Sequence, residues 1–218
     1  YADINLDNIE YNVRALMALT KPGTKAMAVV KADAYGHGDV AVAKAVNDIV
    51  DAYAVATVEE GINLRQNGIE KMILVLGYVD EMHYDQVIRY ALSIPVFDTE
   101  MAKKMSAAAV AAGENIRCHV KVDTGMHRIG LRPDDDGIKT VLAKYDGLDV
   151  EGIFTHFATA DEKDKTAAYR QFELFKTFVE KLENEGMHFK YRHCSNSAGI
   201  IDMPDVNMDM VRLGIAMY

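Results

Sequence analysis

Short segments rich in apolar residues alternate with longer amphipathic segments along the whole chain. The short segments are five to nine residues long, and most contain β-branched side chains, which is typical of strands buried in a parallel sheet. The longer segments repeat their apolar residues every three or four positions, as amphipathic helices do. The pattern therefore predicts eight strands, over residues 25–31, 52–56, 72–76, 93–97, 117–123, 148–156, 190–194 and 209–214.

Helices are predicted between these strands and ahead of the first one. A leading helix begins near Asp7, and the others are predicted over residues 40–49, 57–67, 82–90, 99–113, 133–144 and 165–185. Regular alternation without a linker rich in Pro, Gly or Ser favours one (β/α)8 barrel over an open doubly wound sheet. We therefore expect residues 1–218 to form a single barrel domain, with its chemistry at the carboxyl ends of the strands.

Composition and charge narrow the possible functions. The net charge of -9 over 218 residues argues against a general nucleic-acid binder, which needs a clustered positive surface. No apolar run reaches the roughly 20 residues that span a bilayer, and the first residues do not resemble a signal peptide. Two cysteines without a Cys-x-x-Cys pair fit a reducing compartment and no cysteine metal site. These features predict a cytoplasmic protein whose anion site, if it has one, is local.

Basic and polar side chains gather at the predicted ends of five strands. Strands 2 to 4 contribute little chemistry there, whereas strand 1 and strands 5 to 8 contribute several cations, a histidine and small polar residues. This concentration predicts a functional site at the barrel mouth, formed by Lys31, Lys121, Asp123, Arg128, His156, Asn196, Ser197, Arg212 and Gly214.

Lys31 has two interpretations. A single lysine at a strand end most often extends into solvent. Its neighbours, however, are Ala32, Ala34, Gly36 and Gly38, which leave room for a bulky group. A lysine beside other cations can lose its proton and act as an amine nucleophile, for which a Schiff base with a carbonyl is the natural use.

A phosphate site is predicted from Tyr35, Ser197 and Gly214. Barrels of this class often bind phosphate at the loops after strands 7 and 8, where backbone amides converge. Each residue alone is weak evidence, because SNSAG is also a plausible helix cap and LG a plausible turn. Together with a nucleophilic lysine, they indicate pyridoxal 5'-phosphate as the cofactor.

Five motifs resemble those of alanine racemases and follow in the same order. They are AVVKADAYGHG, VKVDTGMHRIG, GIFTHFATAD, HCSNSA and MVRLGIAMY, and the resemblance extends from NLDNIEYN to the last residue. It implies that Lys31 holds the cofactor covalently and acts as the base on one face of the substrate α-carbon. It also implies that the other cofactor contacts come from Tyr35, His156, Asn196, Ser197, Arg212, Gly214, Ile215 and Tyr218.

The resemblance assigns further roles at the mouth. Arg212 would face the pyridine nitrogen with His156 beside it, Arg128 would bind the substrate carboxylate, and Lys121 matches a lysine that is carbamylated in some members. An arginine keeps its proton, so the pyridine nitrogen would stay unprotonated, which suits a racemase because it limits side reactions. Decarboxylases of the same fold usually place an acidic residue there.

The family also implies a missing part. Its second base is a tyrosine from a C-terminal β domain, which reaches the mouth of the partner subunit in a head-to-tail homodimer. We therefore expect this chain to be the barrel of a longer isomerase that supplies D-alanine for peptidoglycan. Two alternatives stay open: a serine racemase of the vancomycin-resistance type, and a non-catalytic barrel protein of pyridoxal-phosphate homeostasis.

Overall fold

Eight parallel strands form the centre of the molecule. A computed structural model describes residues 3–135 and 137–218. The strands follow one another around the sheet in the order β7-β6-β5-β4-β3-β2-β1-β8, and all pairings are parallel. Their bounds are β1 Lys25–Val29, β2 Ala52–Val55, β3 Met72–Val75, β4 Ser93–Val96, β5 Ile116–Lys121, β6 Leu148–Phe154, β7 Tyr191–His193 and β8 Met210–Leu213.

Two backbone hydrogen bonds join the ends of this sheet. The Asp209 amide donates to the Arg192 carbonyl at 3.1 Å, and the Arg212 amide donates to the Ser195 carbonyl at 3.1 Å. These bonds connect β7 to β8, so the sheet curls into a barrel. The predicted (β/α)8 fold is confirmed.

Helices fill the connections between the strands. Their bounds are α1 Leu6–Met17, α2 Lys31–Gly36, α3 Asp39–Val46, α4 Val58–Gln66, α5 Tyr84–Arg89, α6 Thr99–Ala112, α7 Gly137–Lys144, α8 Thr166–Asn184 and α9 Ser197–Asp202. Short 3-10 turns cover Asn47–Ile49, Glu81–His83, Pro204–Val206 and Ile215–Met217. No helix among these described residues is both long and apolar enough to cross a bilayer.

The observed boundaries differ from the predicted ones mainly where strands meet loops. The first helix is capped by Asn5, whose side chain accepts from the Asn8 amide, and so it begins before Asp7. Strand β1 ends at Val29, two residues earlier than predicted, because the chain leaves the sheet and turns at Lys31. An apolar run in the sequence marks burial, and here burial continues beyond the end of the ladder.

Side chains of the strands alternate between the helix layer and the barrel interior, as pleated strands require. Those facing the helices, such as Ala28, Val120 and Leu213, belong to the main hydrophobic core. Those facing the interior differ from one side of the barrel to the other. Around β1, β2 and β3 the interior holds a small apolar cluster, formed by Met27, Val29, Ala52, Ala54, Leu74 and Met210. Around β5, β7 and β8 it holds buried polar side chains, His119, Lys121, His193 and Arg212.

Candidate active site

Lys31 opens a left-handed helical turn. The four residues from Ala32 to Tyr35 have φ between 51° and 54°. L-residues disfavour this conformation by roughly 1–2 kcal/mol each. The turn is closed by the Ala34 amide, which donates to the Val30 carbonyl at 2.9 Å. Such strain persists only where the surroundings hold it, and it concentrates at functional sites.

The turn brings Lys31 and Tyr35 to the same edge of the barrel. The Lys31 ammonium lies 5.8 Å from the centre of the Tyr35 ring. Tyr35 in turn faces the loop after β8, since a Cβ built on Gly214 would lie 3.9 Å from the Tyr35 hydroxyl and 3.4 Å from Ser197 Oγ. Three of the predicted phosphate ligands therefore converge on one point.

Ser197 forms the centre of this cradle. Its Oγ accepts from the Gly214 amide at 3.1 Å and from the Ala216 amide at 3.2 Å. A hydroxyl that accepts two bonds still has its own proton to donate. The cradle therefore offers hydroxyl donors from Ser197 and Tyr35 to an anion, which suits phosphate.

The other residues predicted around the cofactor lie near the cradle but make different contacts. Ile215 stands between the two amides that reach Ser197, with an exposed side chain. The Tyr218 ring packs 5.2 Å from Tyr35, centre to centre, but its hydroxyl donates to the Val29 carbonyl at 2.8 Å. Asn196 caps α9 through a 3.0 Å bond from the Gly199 amide. Asn196 is thus occupied as a helix cap, and the Tyr218 hydroxyl is bound to backbone.

Arg212 is buried at the centre of the polar half of the interior. Its Nη1 donates to His193 Nδ1 at 2.8 Å, and its Nη2 donates to the Thr155 and Cys194 carbonyls at 2.9 Å. Nη2 also lies 3.2 Å from His156 Nδ1. Burial lowers the pKa of Arg212 to about 10, which still leaves it a cation at neutral pH. Its position is fixed by acceptors at the ends of two neighbouring strands, β6 and β7.

The arginine dictates the tautomers of two histidines behind it. Because Arg212 can only donate, His193 Nδ1 must accept, so its proton sits on Nε2. That nitrogen lies 3.0 Å from His119 Nδ1, so His119 carries its proton on Nε2 as well, 4.0 Å from a Glu151 oxygen. Burial, then the charge of Arg212, holds the pKa of His193 well below its usual value and lowers that of His119 to about 3. Both rings are therefore neutral.

The sequence did not reveal this chain of histidines. No local motif indicates a chemical role for either His193 or His119. A usable signal was present, since both are polar residues at inward-facing positions of buried strands. Such positions in a barrel are usually filled by branched apolar side chains.

Lys121 is a buried lysine without an acidic partner among the described residues. Only 2% of it is exposed, its Nζ donates to the Val122 carbonyl at 2.8 Å, and it lies 5.3 Å from the centre of the Phe154 ring. Burial, then the charge of Arg212, lowers the pKa of Lys121 to about 7. Asp123 is nearby, but its Oδ1 accepts three backbone amides, at Gly125, Met126 and His127, which agrees with the turn predicted there.

Four basic side chains act electrostatically on His156. Burial is the main reason that the pKa of His156 falls to about 3, and the positive charges that lower it further are Arg212, Arg128, Lys121 and Lys31. Arg128 is exposed at the mouth. In a protein with net charge -9, such a local positive cluster suits anionic groups such as phosphate and carboxylate.

The described residues of this site favour neither a cysteine nucleophile nor a bound metal ion. Burial raises the pKa of Cys194 to about 12, and its Sγ contacts the Val206 carbonyl at 3.3 Å, so it is no thiolate nucleophile. Over residues 3–135 and 137–218, no group of three or more histidine, cysteine or acidic side chains is arranged to hold a metal ion.

Comparison with known proteins identifies the family. The family described as alanine racemase, N-terminal domain, matches residues 4–218. The chain belongs to this family. The alanine racemase of Desulforamulus reducens is 42% identical to it over 221 residues, which cover 100% of this chain and 60% of that protein. The alanine racemase of Desulfosudis oleivorans is 43% identical and is covered to 59% of its length.

Solved structures of the family superpose closely on the barrel. The alanine racemase of Clostridium difficile 630 in complex with cycloserine has a TM-score of 0.95 and 43% identity, over 99% of this chain and 60% of that one. The alanine racemase of Bacillus anthracis with bound L-Ala-P has a TM-score of 0.92 and 32% identity, over 99% of this chain and 56% of that one. The chain thus spans about 60% of the length of these relatives.

Proposed function

We propose that this chain is the cofactor-binding barrel of a pyridoxal-phosphate-dependent racemase whose substrate is alanine. The observation that carries the proposal is the buried Arg212, fixed at the barrel centre with Lys31 and the Ser197 cradle at the same mouth. Membership of the alanine racemase family supports this assignment, and the relatives of known structure carry that name.

The residues present fit pyridoxal phosphate at its three recognition points. Lys31 is the amine for the aldehyde, Ser197 with Gly214 and Tyr35 forms the cradle for the phosphate, and Arg212 is the donor for the pyridine nitrogen. When bound, this cofactor supplies an electron sink that acidifies the α-carbon of an amino acid. The open space beside Gly214 supports the phosphate assignment, because a side chain there would fill it.

Arg212 is suited to keep its own proton during the reaction. Its acceptors are two backbone carbonyls and the two neutral imidazoles of His193 and His156, and none of these is an anion that would take the proton. A pyridine nitrogen beside it would receive a hydrogen bond but no proton. The proposed site therefore disfavours reactions that require a protonated pyridine ring, including transamination.

Proton transfer needs one base on each face of the substrate. Lys31 is the base that this chain provides. We infer that the other is a tyrosine from a C-terminal β domain of a partner subunit, in a homodimer whose complete chains are about the length of the relatives. The barrel alone should then bind the cofactor weakly and racemise poorly. The same proposal places the enzyme in the cytoplasm, supplying D-alanine for peptidoglycan.

Arg128 and Lys121 are assigned to the carboxylate side of the substrate. Arg128 is an exposed cation at the mouth, suited to a bidentate carboxylate contact. Lys121 has a pKa near neutrality, so a large fraction of its amine is uncharged and can add to carbon dioxide, releasing one proton and forming a carbamate. That anion would offset the crowded cations and orient Arg128.

The decisive experiment is a titration with pyridoxal phosphate followed by visible absorbance, borohydride reduction and peptide mapping. We expect the trapped adduct on Lys31, its loss in Lys31→Ala, and its retention in Lys44→Ala, which changes an exposed lysine of α3. An adduct on Lys121, or none, would require a different site. Racemisation of L-alanine and L-serine by the full-length protein then decides the substrate.

A further inference from the structure

Glu60 connects the ends of two neighbouring strands. Its Oε1 accepts from the Ala32 amide at 2.8 Å, directly after Lys31, and its Oε2 accepts from the Ala56 amide at 2.6 Å, directly after β2. The glutamate itself belongs to α4 and is partly buried. One carboxylate thus binds two backbone amides that follow two different strands, and we call this pair of bonds the Glu60 clamp.

The parallel ladder explains why these two amides need an acceptor. Val29 is paired with Ala54, and the Val30 amide donates to the Ala54 carbonyl at 2.9 Å. If the ladder continued, the Ala56 amide would donate to the Val30 carbonyl and the Ala32 amide to the Ala56 carbonyl.

The left-handed turn takes the chain out of this ladder, so neither bond forms. The Val30 carbonyl instead accepts from the Ala34 amide inside the turn, and the Ala56 carbonyl accepts from Gly77 of the next strand end. Without Glu60, the Ala56 amide would lack a partner at a half-buried position, which is costly, and the exposed Ala32 amide would be left to solvent. The two oxygens of Glu60 replace the two lost ladder bonds.

A more ordinary role for Glu60 would be helix capping. Thr57 and Glu60 have the spacing of a capping box, and Thr57 does accept from the Glu60 amide at 3.3 Å. In such a box the glutamate returns to the amide of the capping residue. Here both carboxylate oxygens are bound to Ala32 and Ala56 instead.

We propose that Glu60 is a positioning residue, which holds the left-handed turn in place and thereby directs Lys31 toward the site. The bond to Ala32 fixes the peptide plane that follows Lys31, and the bond to Ala56 anchors that plane to β2. This inference rests on the proposed role of Lys31. The two hydrogen bonds of Glu60 hold the turn whether or not a cofactor is bound.

The first test is hydrogen exchange of single amides in Glu60→Gln. A glutamine offers one acceptor and a donor, so it can satisfy only one of the two amides. We expect the Ala32 or Ala56 amide to exchange about tenfold faster or more, as the loss of a charge-assisted bond implies. Glu59→Gln, which changes the exposed neighbour in the same helix turn, should leave both amides unchanged. If the Ala32 and Ala56 amides exchange at equal rates in the two variants, the Glu60 clamp does not hold them.

The second test measures borohydride-trapped adduct on Lys31 against pyridoxal phosphate concentration in the full-length protein. Glu60→Gln should raise the half-saturating concentration about tenfold, and Glu59→Gln should leave it within about twofold of the parent protein. If the parent protein forms no adduct on Lys31, the proposed function fails, while the exchange experiment still decides the clamp. If the parent forms it and the two variants behave alike, the positioning role is wrong.

A rescue variant separates positioning from general destabilisation. Ala32 is exposed with φ of 53°, a conformation that glycine adopts without strain. If Glu60 acts by holding the turn, Glu60→Gln combined with Ala32→Gly should recover most of the lost trapping. If Glu60 acts only by stabilising α4, adding Ala32→Gly will recover none of it, and the proposal is overturned.

Discussion

The two halves of the barrel interior are built in opposite ways. One half, around β1 to β3, is filled by apolar side chains such as Met27 and Leu74 that need only to fit. The other half, around β5, β7 and β8, buries His119, His193 and Arg212, each bonded to the next. A polar interior is stable only when its donors find acceptors. The barrel therefore replaces apolar packing with hydrogen-bonded polar side chains in the half where it holds the charge of Arg212.

Lowering the pH should have the largest effect, because it destabilises the polar half of the interior and leaves the apolar half unaffected. The pKa of His119 and of His156 falls to about 3, and that of His193 is also held well below its usual value of 6.5. As the pH falls below 6.5, the unfolded chain takes up these protons and the folded chain does not, so stability is lost. From pH 6.5 to 4.5, His119 and His156 should each cost roughly 2.3 kcal/mol of stability.

The measurement is urea unfolding across that pH window. His119→Gln removes one titrating ring but keeps an acceptor for His193, so the slope of stability against pH should fall by about one third. His188→Gln, which changes an exposed histidine outside the barrel interior, is the matched control and should leave the slope unchanged. An unchanged slope in His119→Gln would mean that His119 does not stay neutral in the fold.

Removing the fixed charge should have the next largest effect. Arg212→Gln shortens the side chain and leaves at least two buried acceptors without a donor, among them the carbonyls of Thr155 and Cys194. We expect a loss of roughly 3 kcal/mol in the free energy of unfolding. Arg132→Gln, which breaks only an exposed pair with Asp134, is the control and should change little. Similar losses in both variants would mean that the buried hydrogen bonds of Arg212 do not stabilise the fold.

Features with a local sequence pattern could be predicted, whereas contacts between distant residues of the polar half could not. Periodicity predicted the eight strands and the barrel, because burial and alternation leave a pattern within each segment. Lys31 and Arg212 could be found at strand ends, since the fold places chemistry there. The bond between His193 and His119 joins residues 74 positions apart, and no local pattern reports such a contact. The clamp by Glu60 was hidden for another reason, because its spacing matched an ordinary helix cap.

Raising the pH above 7 should stabilise the polar half of the interior through Lys121. Burial and the nearby Arg212 lower the pKa of Lys121 to about 7, below the 10.5 of a free lysine. Between these values the unfolded chain holds a proton that the folded chain has lost, so stability should rise with pH. We expect a gain of roughly 2 kcal/mol from pH 7 to pH 9. In Lys121→Met this gain should vanish, as urea unfolding at the two pH values will show; a gain that persists would mean that Lys121 is not the group responsible.

The smallest effect concerns the strained turn at the edge of the apolar half. Ala32 and Ala41 are both exposed alanines, but Ala32 has φ of 53° whereas Ala41 lies in the right-handed helix α3. Glycine relieves left-handed strain and weakens a right-handed helix, so the same substitution should act in opposite directions. Ala32→Gly should stabilise the fold by up to about 1 kcal/mol, and Ala41→Gly should destabilise it by about 1 kcal/mol. Thermal and urea unfolding of the pair measure both signs. If Ala32→Gly destabilises the protein as much as Ala41→Gly does, the turn carries no strain. The turn would then not need Glu60 to keep it in the left-handed conformation.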